Sequence, residues 1–171
     1  MINNLHLFQN NPFKDNRGFF KEIFNYETSS NLPNFVQDNL SFSKKNVIRG
    51  MHFQEAPFAQ GKLISVIKGK IFDVVVNIDK ESREFGKCKS FILSAENNNQ
   101  LWIPAHFAHG FMSLEDENYV FYKTTQFYKR DSERTILWND PDLTIDWPLN
   151  GATPIVSEKD NEGLVFKDLF I

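Results

Sequence analysis

At 171 residues and 41 % hydrophobic composition, the chain is long enough to bury one core, and one domain spanning 1–171 is expected. A net charge of −3 leaves no basic stripe and argues against nucleic-acid binding, although an anionic small ligand needs only a local cluster of Arg and Lys. No apolar run reaches the ~20 residues of a membrane helix, residues 1–11 carry no signal-peptide pattern, and the lone Cys88 fits a reducing compartment, so a soluble cytoplasmic protein is expected.

The 18 Phe residues favour an all-β core, because Phe and Tyr suit pleated, half-buried surfaces. In chain order, residues 25–31 carry a weak helical signal of a turn or two. Residues 49–54 alternate so that His52 and Gln54 share one strand face, with Gly50 beside them. Residues 62–67 and 71–78 read as strands joined by Lys68-Gly69-Lys70, and Gly69 predicts a hairpin turn between them. Further strands are predicted over 89–94, 100–104, 110–114, 119–128 and 134–138, with polar connections such as Glu96-Asn97-Asn98-Asn99. Spacing of about ten residues is the pattern of a sandwich or barrel. A last short helical signal covers 160–166.

Polar residues inside apolar strands are costly unless they are partnered or serve a ligand. Taken alone, any one of His52, Lys62, Asp73, His109 and Tyr122 reads as a satisfied core residue; His52, Lys62 and Tyr122 together read better as a shared site. A metal site fails at its ligands, since Gln54 is a poor donor beside imidazole and only His52 and His109 can face one cavity. No nucleophile elbow, phosphate loop or dinucleotide fingerprint is present. What remains is proton transfer. A neutral His52 can take a proton from carbon next to a ketone, Lys62 can meet the negative charge that develops on oxygen, and Tyr122 can return a proton from the far face. A carboxylate must fix the imidazole tautomer, and Asp73, Asp140 and Asp160 are all candidates.

The runs Gln37-Asp38-Asn39, Asn46-Val47-Ile48-Arg49-Gly50-Met51-His52-Phe53-Gln54, Ala59-Gln60-Gly61-Lys62-Leu63, Phe107-Ala108-His109-Gly110-Phe111, Tyr122-Lys123-Thr124-Thr125 and Ser157-Glu158-Lys159-Asp160 resemble the dTDP-4-dehydrorhamnose 3,5-epimerases. The resemblance runs in order from about Phe13 to Asp160. It implies a cupin-type jelly-roll β-barrel acting as a homodimer on a nucleotide-linked 4-keto sugar, without metal or other cofactor. It also implies His52 as general base, Asp160 as the carboxylate that orients it, Tyr122 as general acid and Lys62 near the C4 oxygen. Arg17, Phe20 and Glu22 match nucleotide-binding positions supplied across the dimer interface. Gln37, Asp38, Asn39, Arg49, His109, Glu133 and Lys159 match other substrate contacts, and Tyr128 matches the ring that stacks on the base. Two departures stand out: His106 where the family often has Gly, raising a left-handed conformation there, and Phe127 where Tyr is frequent. Competing readings are an epimerase acting at one centre only or on another nucleotide, and a non-catalytic sugar-binding cupin module.

Overall fold

The computed structural model describes residues 4–170, whose strands build two facing sheets. The strands are β1 (His6–Gln9), β2 (Phe13–Asp15), β3 (Gly18–Phe20), β4 (Gln37–Ser43), β5 (Val47–Gln54), β6 (Lys62–Lys68), β7 (Lys70–Asn77), β8 (Cys88–Ser94), β9 (Asn99–Ile103), β10 (Phe107–Ser113), β11 (Asn118–Thr124), β12 (Glu133–Thr135) and β13 (Ile155–Val156); the helices are α1 (Glu158–Asn161) and α2 (Phe166–Phe170). One sheet has the order β1-β9-β6-β11-β4 and the other β12-β5-β10-β7-β8, with β13 added in parallel to β5. The expected all-β jelly roll is what forms. A β2–β3 hairpin stands apart from both sheets.

Alternation sorts the side chains. Ile64 and Val66 of β6 meet Ile71 and Val75 of β7 and Phe111 of β10 between the sheets. The opposite face of β5, β7 and β10, carrying Met51, Val74 and Met112, is covered by Ile136, Leu143, Trp147 and Phe166 from the C-terminal stretch. Burying a side chain of this size contributes about 1.5–3 kcal/mol, so both layers are well supported.

Five expectations change. β6 and β7 are strands, but not partners: β6 pairs with β9 and β11, while β7 pairs with β8 and β10. Lys68-Gly69-Lys70 is therefore a corner between sheets. Gly69 takes φ +84°, its missing Cβ makes room for the Glu117 carbonyl, and the Asn118 side chain accepts the Lys70 N–H. Residues 25–31 form turns only, one closed by Ser29 N–H donating to the Asn25 carbonyl. The signal at 160–166 splits into α1 and α2, because Leu164 is drawn into backbone bonds with Thr135 and Leu137. The strand expected over 119–128 ends at Thr124, whose hydroxyl donates to the Gln126 carbonyl. His106 does not take the left-handed conformation raised for it; the non-glycine residues with positive φ are Asn46, Asn98, Thr144 and Asn150 among those described.

Candidate active site

β5 carries His52 into the space between the sheets, directly opposite His109 of β10. The two strands close tightly beside this pair because Gly50 and Gly110 have no Cβ; one added at Gly50 would lie 2.5 Å from Gly110 Cα. β13 runs alongside Val47 and Ile48 of β5, so α1, which follows immediately, delivers Asp160 to the same spot. Ser157 caps α1 by accepting the Asp160 N–H, a contact typically contributing about 1 kcal/mol.

Asp160 Oδ1 lies 2.6 Å from His52 Nε2, and its Oδ2 accepts the Gly50 N–H at 3.2 Å. Burial pushes the Asp160 carboxyl up, but the bond and charge of His52, the Gly50 N–H and Ser157 outweigh it and hold the carboxyl below its ordinary value. An ionised Asp160 only accepts, so the proton of this bond sits on Nε2, and in the neutral imidazole Nδ1 is left bare.

The facing sheet supplies the rest. Lys62 of β6 donates to the His52 carbonyl at 3.2 Å. Burial lowers the Lys62 ammonium to about 8, opposed by the charges of Glu133 and Asp73 and assisted by Lys159. Tyr122 of β11 has its phenol pushed up, first by burial, with Arg49 pulling the other way and Glu133 adding to the rise. His52, Lys62, Tyr122, Asp160, Arg49, His109, Tyr128, Glu133 and Lys159 line one cavity of about 400 Å³, within the usual range of about 300–1,000 Å³ for ligand sites.

At its mouth, Glu133 accepts from the Tyr128 hydroxyl at 2.8 Å and pairs with Lys159. Burial pushes Glu133 up, but the bonds from Lys159 and Tyr128 and the charges of His52 and Lys159 bring it below its ordinary value. Arg49 donates to Ser43 Oγ and the Phe42 carbonyl, which aims it along the β4 side.

The three candidate carboxylates have separate jobs. Asp160 holds His52, Asp73 holds His109 at 2.8 Å, and Asp140 accepts from the backbone of Asp142, Leu143 and Phe166. Gln54 does not line the cavity; its amide donates to the Phe58 and Phe127 carbonyls and accepts the Lys129 N–H. Among the described residues no group of three or more His, Cys, Asp and Glu is arranged to hold a metal, and no helix is long and apolar enough to cross a membrane.

Six expected contacts do not line the cavity. Arg17 and Phe20 belong to the β2–β3 hairpin, where Arg17 pairs with Asp15 at 2.6 Å. Glu22 lines another cavity of about 210 Å³ with Asn10, Asn25 and Gln100. Gln37, Asp38 and Asn39 lie on the edge strand β4; Gln37 Oε1 accepts the Tyr128 N–H, its amide donates to Asn39, and Asp38 pairs with Lys123 at 2.7 Å. Ser41, Gln60 and Ser157 line the main cavity and were not singled out. Gln60 could have been found from its place beside Lys62 in the Ala59-Gln60-Gly61-Lys62 run, and Ser157 from its place beside Lys159 and Asp160 in the Ser157-Glu158-Lys159-Asp160 run; Ser41 carries no such signal.

The family profile described as dTDP-4-dehydrorhamnose 3,5-epimerase matches residues 1–168. The chain belongs to that epimerase family. The dTDP-4-dehydrorhamnose 3,5-epimerase of Shigella flexneri is 48 % identical over 166 residues, covering 95 % of this chain and 91 % of that protein. The crystal structure of the Bacillus anthracis dTDP-4-dehydrorhamnose 3,5-epimerase with TDP and PPi bound superposes with a TM-score of 0.90 at 42 % identity, over 94 % of this chain and 93 % of that one. The Legionella pneumophila dTDP-6-deoxy-D-glucose-3,5-epimerase in complex with dTDP-4-keto-L-rhamnose gives a TM-score of 0.88 at 44 % identity, over 94 % and 87 %. The two-sheet barrel is thus the cupin-type jelly roll of these epimerases.

Proposed function

We propose that the chain inverts C3 and C5 of a dTDP-linked 4-keto-6-deoxy sugar, as a step of dTDP-rhamnose-type nucleotide-sugar biosynthesis. It does so in the cytoplasm as one domain over 1–171, with no metal or other cofactor. The observation that carries this reading is the His52–Asp160 bond inside a cavity that Lys62 and Tyr122 share. His52 Nδ1 takes the proton from the carbon beside the C4 ketone, and the electron pair of that C–H bond moves onto the C4 oxygen. The Lys62 ammonium meets the oxygen as it turns negative. Tyr122, kept protonated by burial, delivers a proton from the opposite sheet, so the centre inverts. C3 and C5 both flank the C4 carbonyl, and one set of groups therefore serves both.

Tyr128 stacks on the base, while Arg49, Lys159, Glu133 and His109 contact the substrate within the cavity; Gln37, Asp38 and Asn39 join them from β4. Arg17, Phe20 and Glu22 act on the nucleotide of a second copy in a homodimer. The outward-facing Phe13, Phe19 and Phe20 of the β2–β3 hairpin support an apolar contact there. Proton NMR in deuterated water, with dTDP- and GDP-linked 4-keto-6-deoxy sugars side by side, tests the reading. Deuterium is expected at C3 and C5 of the dTDP sugar. Label at one carbon assigns a single-centre epimerase, and label at neither sinks the proposal.

A further inference from the structure

A second histidine–carboxylate pair stands next to the first. His52 and His109 are cross-strand partners on β5 and β10, and each has Nε2 against a carboxylate, Asp160 in one case and Asp73 in the other. Asp73 comes from β7, in register with Phe111. It has no solvent exposure at all; Oδ2 meets His109, and Oδ1 has no hydrogen-bond partner among the described residues. A buried carboxylate with an orphaned oxygen is worse for stability than an apolar side chain of the same size. Packing gives no reason for an acid at this position, whereas the cavity does.

A carboxylate accepts and does not donate, so Asp73 fixes the His109 proton on Nε2 and leaves Nδ1 as the atom presented elsewhere. Nδ1 makes no hydrogen bond among the described residues, and His109 lines the cavity. The charge of Asp73 also opposes the loss of the Lys62 proton that burial favours. We propose that Asp73 is a positioning residue for the epimerisation: it holds His109 with Nδ1 toward the reacting sugar, and it balances the positive side chains beside the C4 oxygen. This rests on the epimerase reading above. His109 is then the group that touches substrate, and Asp73 acts through it, as an orienting carboxylate does in other histidine pairs.

Two measurements test this. The first needs no substrate: ¹⁵N NMR of labelled wild-type protein, with His109 assigned through His109→Gln, is expected to show a proton on Nε2. A His109 protonated on Nδ1 alone overturns the proposal. The second is kinetic. Asp73→Asn keeps the shape and removes the charge, and it is expected to lower kcat about 10²-fold with KM within about threefold. In the His109→Gln background the same change is expected to cost less than about threefold more, because both changes disable one unit. Turnover of Asp73→Asn within about threefold of wild type, or losses that multiply in the double variant, overturn the proposal. The variant is expected to melt no lower than wild type, so unfolding is not the cause of the loss; if Asp73→Asn is not recovered folded, the tautomer measurement decides alone. Failure of the epimerase reading is seen separately, as absent C3 and C5 exchange in the wild-type enzyme.

Discussion

The inner ends of β5 and β10 and the β2–β3 hairpin differ in what fixes their side chains. His52 is held at Nε2 by Asp160, Asp160 is held in turn by Gly50 and capped by Ser157, and Lys62 is tied to the His52 carbonyl. Among the described residues Arg17 is held only by Asp15 of the same hairpin, whose Phe13, Phe19 and Phe20 are about two-thirds or more exposed. The groups proposed for proton transfer are thus pre-set within one chain, whereas the hairpin residues proposed for the nucleotide have nothing in that chain to act on. Pre-set groups govern turnover, and residues lent to a second copy govern binding.

The most damaging change on the pre-set side is His52→Ala. Steady-state kinetics are expected to show kcat lower by about 10²–10⁴-fold with little change in KM, the usual cost of removing a general base. Asp160→Asn leaves the imidazole in place but frees its tautomer, and a loss of similar direction and smaller size is expected. A rise in KM at constant kcat in either variant would assign these residues to binding and erase the contrast.

Tyr122→Phe separates the two halves of the reaction. His52 can still remove the proton and return deuterium to the same face, so solvent exchange at C3 is expected to persist while inverted product falls about 10²-fold or more. Loss of exchange together with inversion would place Tyr122 ahead of proton abstraction, and the far-face assignment would go.

This division also shows what was legible beforehand. Alternation over 49–54 set His52 on one face of a strand, Tyr122 fell within an apolar run expected as strand, and the structure has both lining one cavity. The partner of His52 was not legible from spacing, because it lies 108 positions away and reaches β5 only through the parallel pairing of β13. The family resemblance picked out Asp160, and Asp73 and Asp140 proved to serve His109 and a backbone knot. The corner at Gly69 was misread as a hairpin for a local reason. A turn residue between two apolar runs predicts that the chain reverses; whether it stays in its sheet is decided by Asn118 and the Glu117 carbonyl, about 50 residues on.

Arg17→Ala probes the hairpin, with a KM rise of about tenfold expected and kcat nearly unchanged, as for the loss of one charge-assisted phosphate contact. Mixing sharpens the test. If Arg17 serves the partner's site, co-refolding Arg17→Ala with His52→Ala chains makes mixed dimers with one intact site, and about a quarter of wild-type activity returns at low substrate. No recovery in well-mixed dimers would confine Arg17 to its own chain, and the contrast between the two regions would have to be drawn elsewhere.

The last contrast is one of pH and concerns Lys62, whose ammonium burial brings to about 8 from an ordinary 10.5. If the charged form meets the C4 oxygen, kcat is expected to fall as pH rises through about 8. Stability moves the opposite way. Between the folded value of about 8 and the unfolded 10.5, the unfolded chain binds the proton and the folded chain does not, so stability rises with pH across that window. Below it both states are charged, and the full cost of burying the ammonium applies. Lys62→Met removes that cost, and urea denaturation at neutral pH is expected to show a gain of about 2 kcal/mol alongside lost turnover. The gain should shrink as pH rises from about 8 and approach zero above about pH 10.5, where wild type carries little charge in either state. A Met variant no more stable than wild type at neutral pH would mean that Lys62 is solvated in the folded chain, and a solvated ammonium could not give a buried oxygen the stabilisation assigned to it.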